Sequence, residues 1–546
     1  MDFTADPEKR EWDVVVVGTG MGGATLGYAM ARAGKSVLFC EKGRSHLFGN
    51  DALRGAYAES FFPRHECPKA GRRDILLRAG RFSEEIEDIS SGKPRRFIPF
   101  IGCGTGGSTA LYGMALERFF PADFTPRANY PEAAGSTLPE RWPITYEELA
   151  PYYEEAERLF RVRGTADALR GGKASSSLIA PPPLGPESAE LFGLLSKDHT
   201  PYRLPSACEY AAGCRCCQGY LCPSNCKNDS SKICLEPAIA DFGASLIDEC
   251  EVSRLEATRS EVTGVVCLWK GKPLNLKAKI VVLAAGALKT PQILLNSSSN
   301  EWPRGLANDS GMVGRNLMRH YTDLYAVFPE KRLKNPLSHK EIALNDYYFK
   351  GGKKLGAIQS FGALPPASIL AEELEQGLSE RLGPFTGRLF RPFKPLARLM
   401  LSQTISRSIM LATIAEDLPF LENRVSLSEA TDGADGRRLV LHYRIGGQEN
   451  LRIESFRIIM KNILRPRRFI LLRQAENNER LAHVCGTCRF GLDPKESVLD
   501  PFNRAHGISN LYVVDASFFP SSGGTNPALT IAANALRAAG RILSDR

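Results

Sequence analysis

Apolar residues in this chain gather into short runs bounded by glycine, proline or charge, and each run predicts an element. Trp12 to Val17, with four consecutive valines between a charged stretch and Gly18, predicts a buried β-strand. Ala24 to Ala33 carries helix formers, and Gly34 stands where such a helix would stop. Ser36 to Cys40 predicts a second strand, which ends at Glu41. Near the other end, Leu511 to Val514 predicts a buried strand ending in Asp515, and Ala528 to Ala539 an apolar helix with Pro527 in its first turn. Nowhere do 18 apolar residues run uninterrupted, so no spanning helix is expected.

Composition narrows the class. The chain has 546 residues, 43% hydrophobic and 24% charged, which excludes disordered, collagen-like and coiled-coil chains. The net charge of +9 is mild at this length and predicts no nucleic-acid partner. The start, MDFTADPEKREWDVVVVG, lacks a basic region followed by an apolar one, so a cytoplasmic, enzyme-sized protein is expected.

Between the first strand and helix, Gly18-Thr19-Gly20-Met21-Gly22-Gly23 fits G-x-G-x-x-G at Gly18, Gly20 and Gly23. Strand, glycine turn, helix, strand and acid in that order suit a dinucleotide. Glycines let backbone N–H groups approach a pyrophosphate, the helix N-terminus offers partial positive charge, and Glu41 would accept from ribose hydroxyls. The fingerprint does not separate NAD from FAD; its position and the lack of a second full copy favour FAD.

Three further segments carry a resemblance. Gly102 to Met114 (GCGTGGSTALYGM) resembles the first signature of the glucose–methanol–choline (GMC) flavin oxidoreductases, and Gly286 to Ser297 (GALKTPQILLNS) the second. The run from His483-Val484-Cys485-Gly486 through Asn510 to Ser517 and on to Thr525-Asn526-Pro527 resembles the catalytic end of that family. The resemblance implies an α/β fold: a Rossmann-like FAD-binding domain from 1–120, 205–320 and 482–546, interleaved with a substrate-binding domain from 121–204 and 321–481. It implies oxidation of an alcohol to a carbonyl by hydride transfer to flavin N5, with O2 or another electron acceptor. His483 matches the catalytic histidine and would take the hydroxyl proton; Asn526 matches its partner and would orient the hydroxyl. His320 is read as support for the fold.

The same resemblance assigns cofactor contacts to Gly18, Gly20, Met21, Gly22, Gly23 and Glu41, then to Gly106, Gly107, Ser108, Tyr112, Gly113 and Val252. Asp515, Ala516, Asn526 and Pro527 complete the set. Glycine at 106 and 107 suits backbone pressed against a flat ring, and Asp515 is either a ribityl acceptor or a helix cap. Many members have asparagine where this chain has Tyr112. Members that attach flavin covalently have a histidine where it has Leu111, so non-covalent FAD is expected.

Two features leave alternatives open. Residues 381–415 contain no acid, and Arg388 to Met400 interleaves cations with large apolar groups. It reads as a solvated face with snorkelling stems, or as a lid or peripheral membrane contact for an apolar alcohol. Six of the fourteen cysteines fall between Cys208 and Cys226. Some dehydrogenases of the family hold an iron–sulfur cluster here, which Cys214, Cys216, Cys217 and Cys222 could supply; the alternative, favoured here, is FAD alone with a structural loop. An electron-transferring dehydrogenase with such a cluster and a light-driven fatty-acid decarboxylase are therefore the rival activities, the second disfavoured by the pair His483 and Asn526. A flavin-binding structural protein is the non-enzymatic rival.

Overall fold

The computed structural model describes residues 7–47, 51–62, 69–171, 175–330, 340–431, 437–479, 481 and 483–545. The first sheet forms where the apolar runs predict it. Strand β1 (Glu11–Val17) leads through the glycine turn into helix α1 (Met21–Arg32), and β2 (Val37–Cys40) returns parallel to β1. The helix starts three residues earlier than the run of helix formers, because Gly22 and Gly23 lie inside its first turn. Gly34, at φ 79°, follows its end, as only a residue tolerant of the left-handed region can.

Helix α2 (Tyr146–Leu159), strand β3 (Lys272–Leu283), helix α3 (Gly286–Asn296), strand β4 (Leu511–Val513) and helix α4 (Ala528–Ser544) complete the frame. β3 lies parallel to β1 on the side away from β2, and β4 extends the sheet parallel to the C-terminal half of β3. Because β1 has a neighbour on each side and helices cover it, all four valines are buried, the pattern of an interior parallel strand. Helix α4 packs on both α1 and α2.

A second, antiparallel sheet runs in the order 468–472, 324–328, 409–415, 356–360, 342–344, 202–203. Helix Gly447–Leu464 closes its core with Ile453, Phe456, Met460 and Leu464. The span 121–204 is divided between the two cores: Trp142 to Val162, including α2, pack with β1 and α4, whereas Leu191 and Leu195 pack against the second sheet. A stripe of apolar residues on α2 announces burial without saying against which sheet. Among the described residues no helix is long and apolar enough to cross a membrane.

Candidate active site

A cleft of roughly 2540 Å3 opens where the parallel strands end, lined by Val17, Cys40, Ala284 and Asp515 at their carboxyl ends. This is where open α/β sheets receive ligands. A single drug-sized ligand needs only ~300–1000 Å3, so the cleft has room for a dinucleotide and a substrate together.

The glycine turn is shaped by close backbone contact. A Cβ on Gly22 would stand 2.0 Å from the Val514 carbonyl oxygen, and one on Gly23 2.2 Å from that of Gly18. Gly20 differs: no atom lies within 4 Å of where its Cβ would be, so that side is open. Gly107, at φ 51°, faces it, its own Cβ position 3.0 Å from the Gly20 Cα. Ser230 ties the two glycine segments together. Its hydroxyl donates to the Thr19 carbonyl (3.1 Å) and lies 2.9 Å from the Thr109 hydroxyl. Met21, Ser108, Tyr112, Gly113 and Val252 also line the cleft.

The two acids read as acceptors for cofactor hydroxyls already have full sets of protein donors. Glu41 Oε2 accepts from the Thr19 N–H (3.0 Å) and hydroxyl (2.6 Å), and Oε1 from the N–H groups of Gly43 and Gly104 (both 3.0 Å). Asp515 Oδ2 accepts from the Gly286 N–H (2.9 Å) and the Thr290 hydroxyl (2.5 Å); Oδ1 accepts from the N–H and hydroxyl of Ser517. Asp515 thus caps the turn at Ala516–Phe518. Burial pushes both carboxyls up, opposed by these hydrogen bonds.

His483 and Asn526 meet although 43 residues separate them: Asn526 Nδ2 lies 3.5 Å from His483 Nε2. Met318 and Cys485 exchange a pair of backbone hydrogen bonds of 3.0 Å, and two residues on in each direction this places His320 opposite His483. Their Nδ1 atoms are 2.8 Å apart. His320 is therefore part of the site and not only of the fold. His320 Nε2 lies 3.1 and 2.9 Å from the carbonyl oxygens of Ser522 and Gly523, which can only accept, so Nε2 carries the proton. Burial pushes the His320 pKa down to about 4, so the ring is neutral and its Nδ1 is an acceptor. His483 Nδ1 must then donate, which leaves His483 Nε2 with a bare lone pair beside Asn526. His483 holds this place at φ 58°, in the left-handed region that costs a non-glycine residue about 1–3 kcal/mol.

The carbonyls that assign this tautomer are held in turn. Gly523 N–H donates to Glu416 (3.0 Å), Gly524 N–H to the Tyr348 hydroxyl (2.7 Å), and that hydroxyl to Asp123 (2.7 Å). Buried Lys354 pairs with both acids. A second lysine was not legible in the sequence. Lys340 is buried, lines the cleft and forms no ion pair among the described residues. Burial lowers its pKa to about 8, and burial, His320 and Lys340 together hold His483 well below its ordinary range. Asn526 Oδ1 is buried with no partner among the described residues.

The segment around Arg388 to Met400 folds into short helices, Pro384–Phe390 and Lys394–Ile405, packed on Ala367–Leu382 at the cleft mouth. Lys394 pairs with Glu372 and Glu375, Arg391 with Glu375 and Arg398 with Glu372. Phe385, Leu389, Phe393 and Met400 stay exposed, at 74, 61, 59 and 63%.

The proposed cluster ligands are not brought together. Cys214 and Cys216 converge with Cys208, whereas Cys217 faces Cys222. The chain turns through Cys216 at φ 45°, and the four cysteines Cys214, Cys216, Cys217 and Cys222 divide between two groups among the described residues.

Two GMC oxidoreductase family profiles match the chain, at residues 188–322 and 419–535. The chain is 29% identical to 6'''-hydroxyparomomycin C oxidase of Streptomyces lividus, over 99% of its length and 92% of that protein's. It is 28% identical to paromamine 6'-oxidase of Streptomyces fradiae, covering 98% and 92% of the two chains. With 2-methyl-1,2-propanediol dehydrogenase of Mycolicibacterium austroafricanum the identity is 26%, covering 96% and 94%. Among solved structures, pyridoxine 4-oxidase from "Mesorbium loti" superposes with a TM-score of 0.62 at 18% identity, covering 98% of this chain and 99% of that one, a likeness of fold.

Proposed function

This chain belongs to the GMC oxidoreductase family, and we propose that it oxidises a small-molecule alcohol to a carbonyl with non-covalently bound FAD, His483 acting as base. The observation that carries the reading is the assigned tautomer of His483, whose bare Nε2 stands beside Asn526 at the wall of the cleft.

The cleft fits the cofactor. The open side of Gly20 and the first turn of α1 suit a pyrophosphate, and Met21, Gly22 and Gly23 bring the helix N-terminus to it. Gly107, Ser108, Tyr112 and Gly113 form the wall facing that turn, with Val252 on the same cleft; Gly106 stands behind them, its Cβ position 3.2 Å from the Ser231 hydroxyl, and would support that wall from the protein side. Glu41 and Asp515 hold these walls in place. Either would bind a cofactor hydroxyl by exchanging one of its present hydroxyl donors. Ala516, Asn526 and Pro527 form the end nearest His483, where α4 points its N-terminus at the cleft.

FAD, when bound, supplies the acceptor for the hydride that leaves the alcohol carbon. The residues do the rest. Asn526 orients the substrate hydroxyl by donating an Nδ2 N–H to its oxygen, which leaves the hydroxyl proton for His483. His483 Nε2 takes the hydroxyl proton as the C–O bond becomes a carbonyl. The imidazolium so formed keeps its Nδ1 proton on His320, which cannot turn away because two carbonyls hold its other edge. Lys340 keeps His483 neutral before reaction and attracts the developing oxyanion. The helical cover with its exposed apolar edge supports an apolar alcohol entering from that side, as from a membrane surface.

The purified protein is expected to be yellow and to release its FAD into the supernatant on acid precipitation without protease, since Leu111 offers no atom for a covalent link. Flavin that pellets with the chain would refute non-covalent binding, and bound NAD the whole reading. Anaerobic addition of alcohols, with bleaching of the flavin as readout, tests the activity itself.

The pH dependence has a defined sign. A base works deprotonated, and a lowered pKa keeps His483 deprotonated further into acid. Flavin reduction should therefore hold its rate as pH falls through the ordinary histidine value of 6.5. Lys340→Met removes a cation that lowers the His483 pKa, so the acid limb should move to higher pH. A limb that stays put in stopped-flow measurements would show that Lys340 does not act on His483.

A further inference from the structure

The cysteine-rich loop is fastened to the cleft wall. Ala207 N–H donates to the Met114 carbonyl (2.8 Å), Gly219 N–H to that of Leu111 (2.7 Å), and buried Lys227 to that of Ala110 (2.8 Å). Within the loop, the Sγ atoms of Cys208, Cys214 and Cys216 all lie within 4.8 Å of one another, with Cys208 and Cys214 3.6 Å apart. Cys226 adjoins Cys214 and packs in the same cluster. Three backbone N–H groups point at these sulfurs: Cys216 at Cys214 (3.4 Å), Tyr210 at Cys208 and Ala211 at Cys226.

We propose that Cys208, Cys214, Cys216 and Cys226 bind a single zinc ion as a structural tetrathiolate site. A tetrahedron with Zn–S bonds of about 2.3 Å has S···S edges of ~3.8 Å, close to the observed 3.6 Å. In an iron–sulfur cluster at most two thiolates share an iron and the others stand further away, whereas here three sulfurs converge. A disulfide between Cys208 and Cys214 would use two of the thiols and leave the convergence of Cys216 on the same pair without a purpose. Bound zinc would replace four thiol protons, and the doubly negative ZnS4 unit has buried Lys227 nearby as a countercharge. The ion would clamp the loop, and through it residues 110–114, against the cleft.

The test is elemental analysis of the intact protein, purified anaerobically under reducing conditions and without chelator. About one zinc per chain is expected. Cys214→Ser and Cys226→Ser should cut that to a small fraction, while Cys217→Ser, outside the site, keeps it. Should the serine variants fail to fold, expression in cobalt-supplemented medium decides on the unaltered chain: tetrathiolate cobalt gives intense thiolate charge-transfer bands and tetrahedral ligand-field bands. Protein without zinc, a Cys208–Cys214 disulfide in a non-reducing peptide map, or iron with acid-labile sulfide would each overturn the proposal.

Discussion

His483→Ala should slow flavin reduction by an alcohol by about 10²–10⁴-fold while leaving the flavin spectrum in place, the usual worth of a positioned general base. The effect is large because no neighbour can substitute. Asn526 is an amide that does not accept a proton near neutrality. His320 presents its Nδ1 to His483, and its Nε2 is committed to the Ser522 and Gly523 carbonyls. Removing the imidazole also leaves His320 Nδ1 buried without a donor, so a modest loss of stability accompanies the loss of rate. Stopped-flow reduction at saturating alcohol separates the two, because a folded, flavin-loaded variant isolates the chemical step. An unchanged rate would remove His483 from the mechanism.

Gly22→Ala should yield protein nearly devoid of FAD. The added Cβ would stand 2.0 Å from the Val514 carbonyl oxygen and 2.8 Å from its carbon. Both are backbone atoms at the end of β4, next to Asp515, so no flexible side chain can move aside. Either the start of α1 or the end of β4 must shift, at about 1–3 kcal/mol or more, and the wall proposed for the cofactor shifts with it. Gly20→Ala is the informative contrast. Its Cβ meets no protein atom, and its backbone (φ −66°, ψ −171°) suits alanine. It should leave the melting temperature of the apoprotein unchanged and weaken FAD binding alone. Equal losses of stability in the two variants would contradict the view that Gly20 faces a ligand and Gly22 faces the protein.

What the sequence determined by itself is what local sterics and order along the chain can encode. Four valines before a glycine turn can only be an interior strand, and the glycine spacing specifies a backbone that packs without Cβ atoms. The segments Gly102 to Met114, Gly286 to Ser297 and His483 to Thr530 place the chain in its family. The tertiary structure decided everything that depends on which distant groups meet. The register between 318–320 and 483–485 makes His320 the partner of His483, across 163 residues. Folding brings Lys340, one lysine among many, to the wall of the cleft, without an ion pair among the described residues. Glu41 and Asp515 are legible as acids after strands, but only the folded chain brings four protein donors to each. Adjacent cysteines look like one ligand set in sequence. A left-handed turn at Cys216 sends neighbouring thiols to different partners, because backbone direction, not spacing, decides where a side chain points.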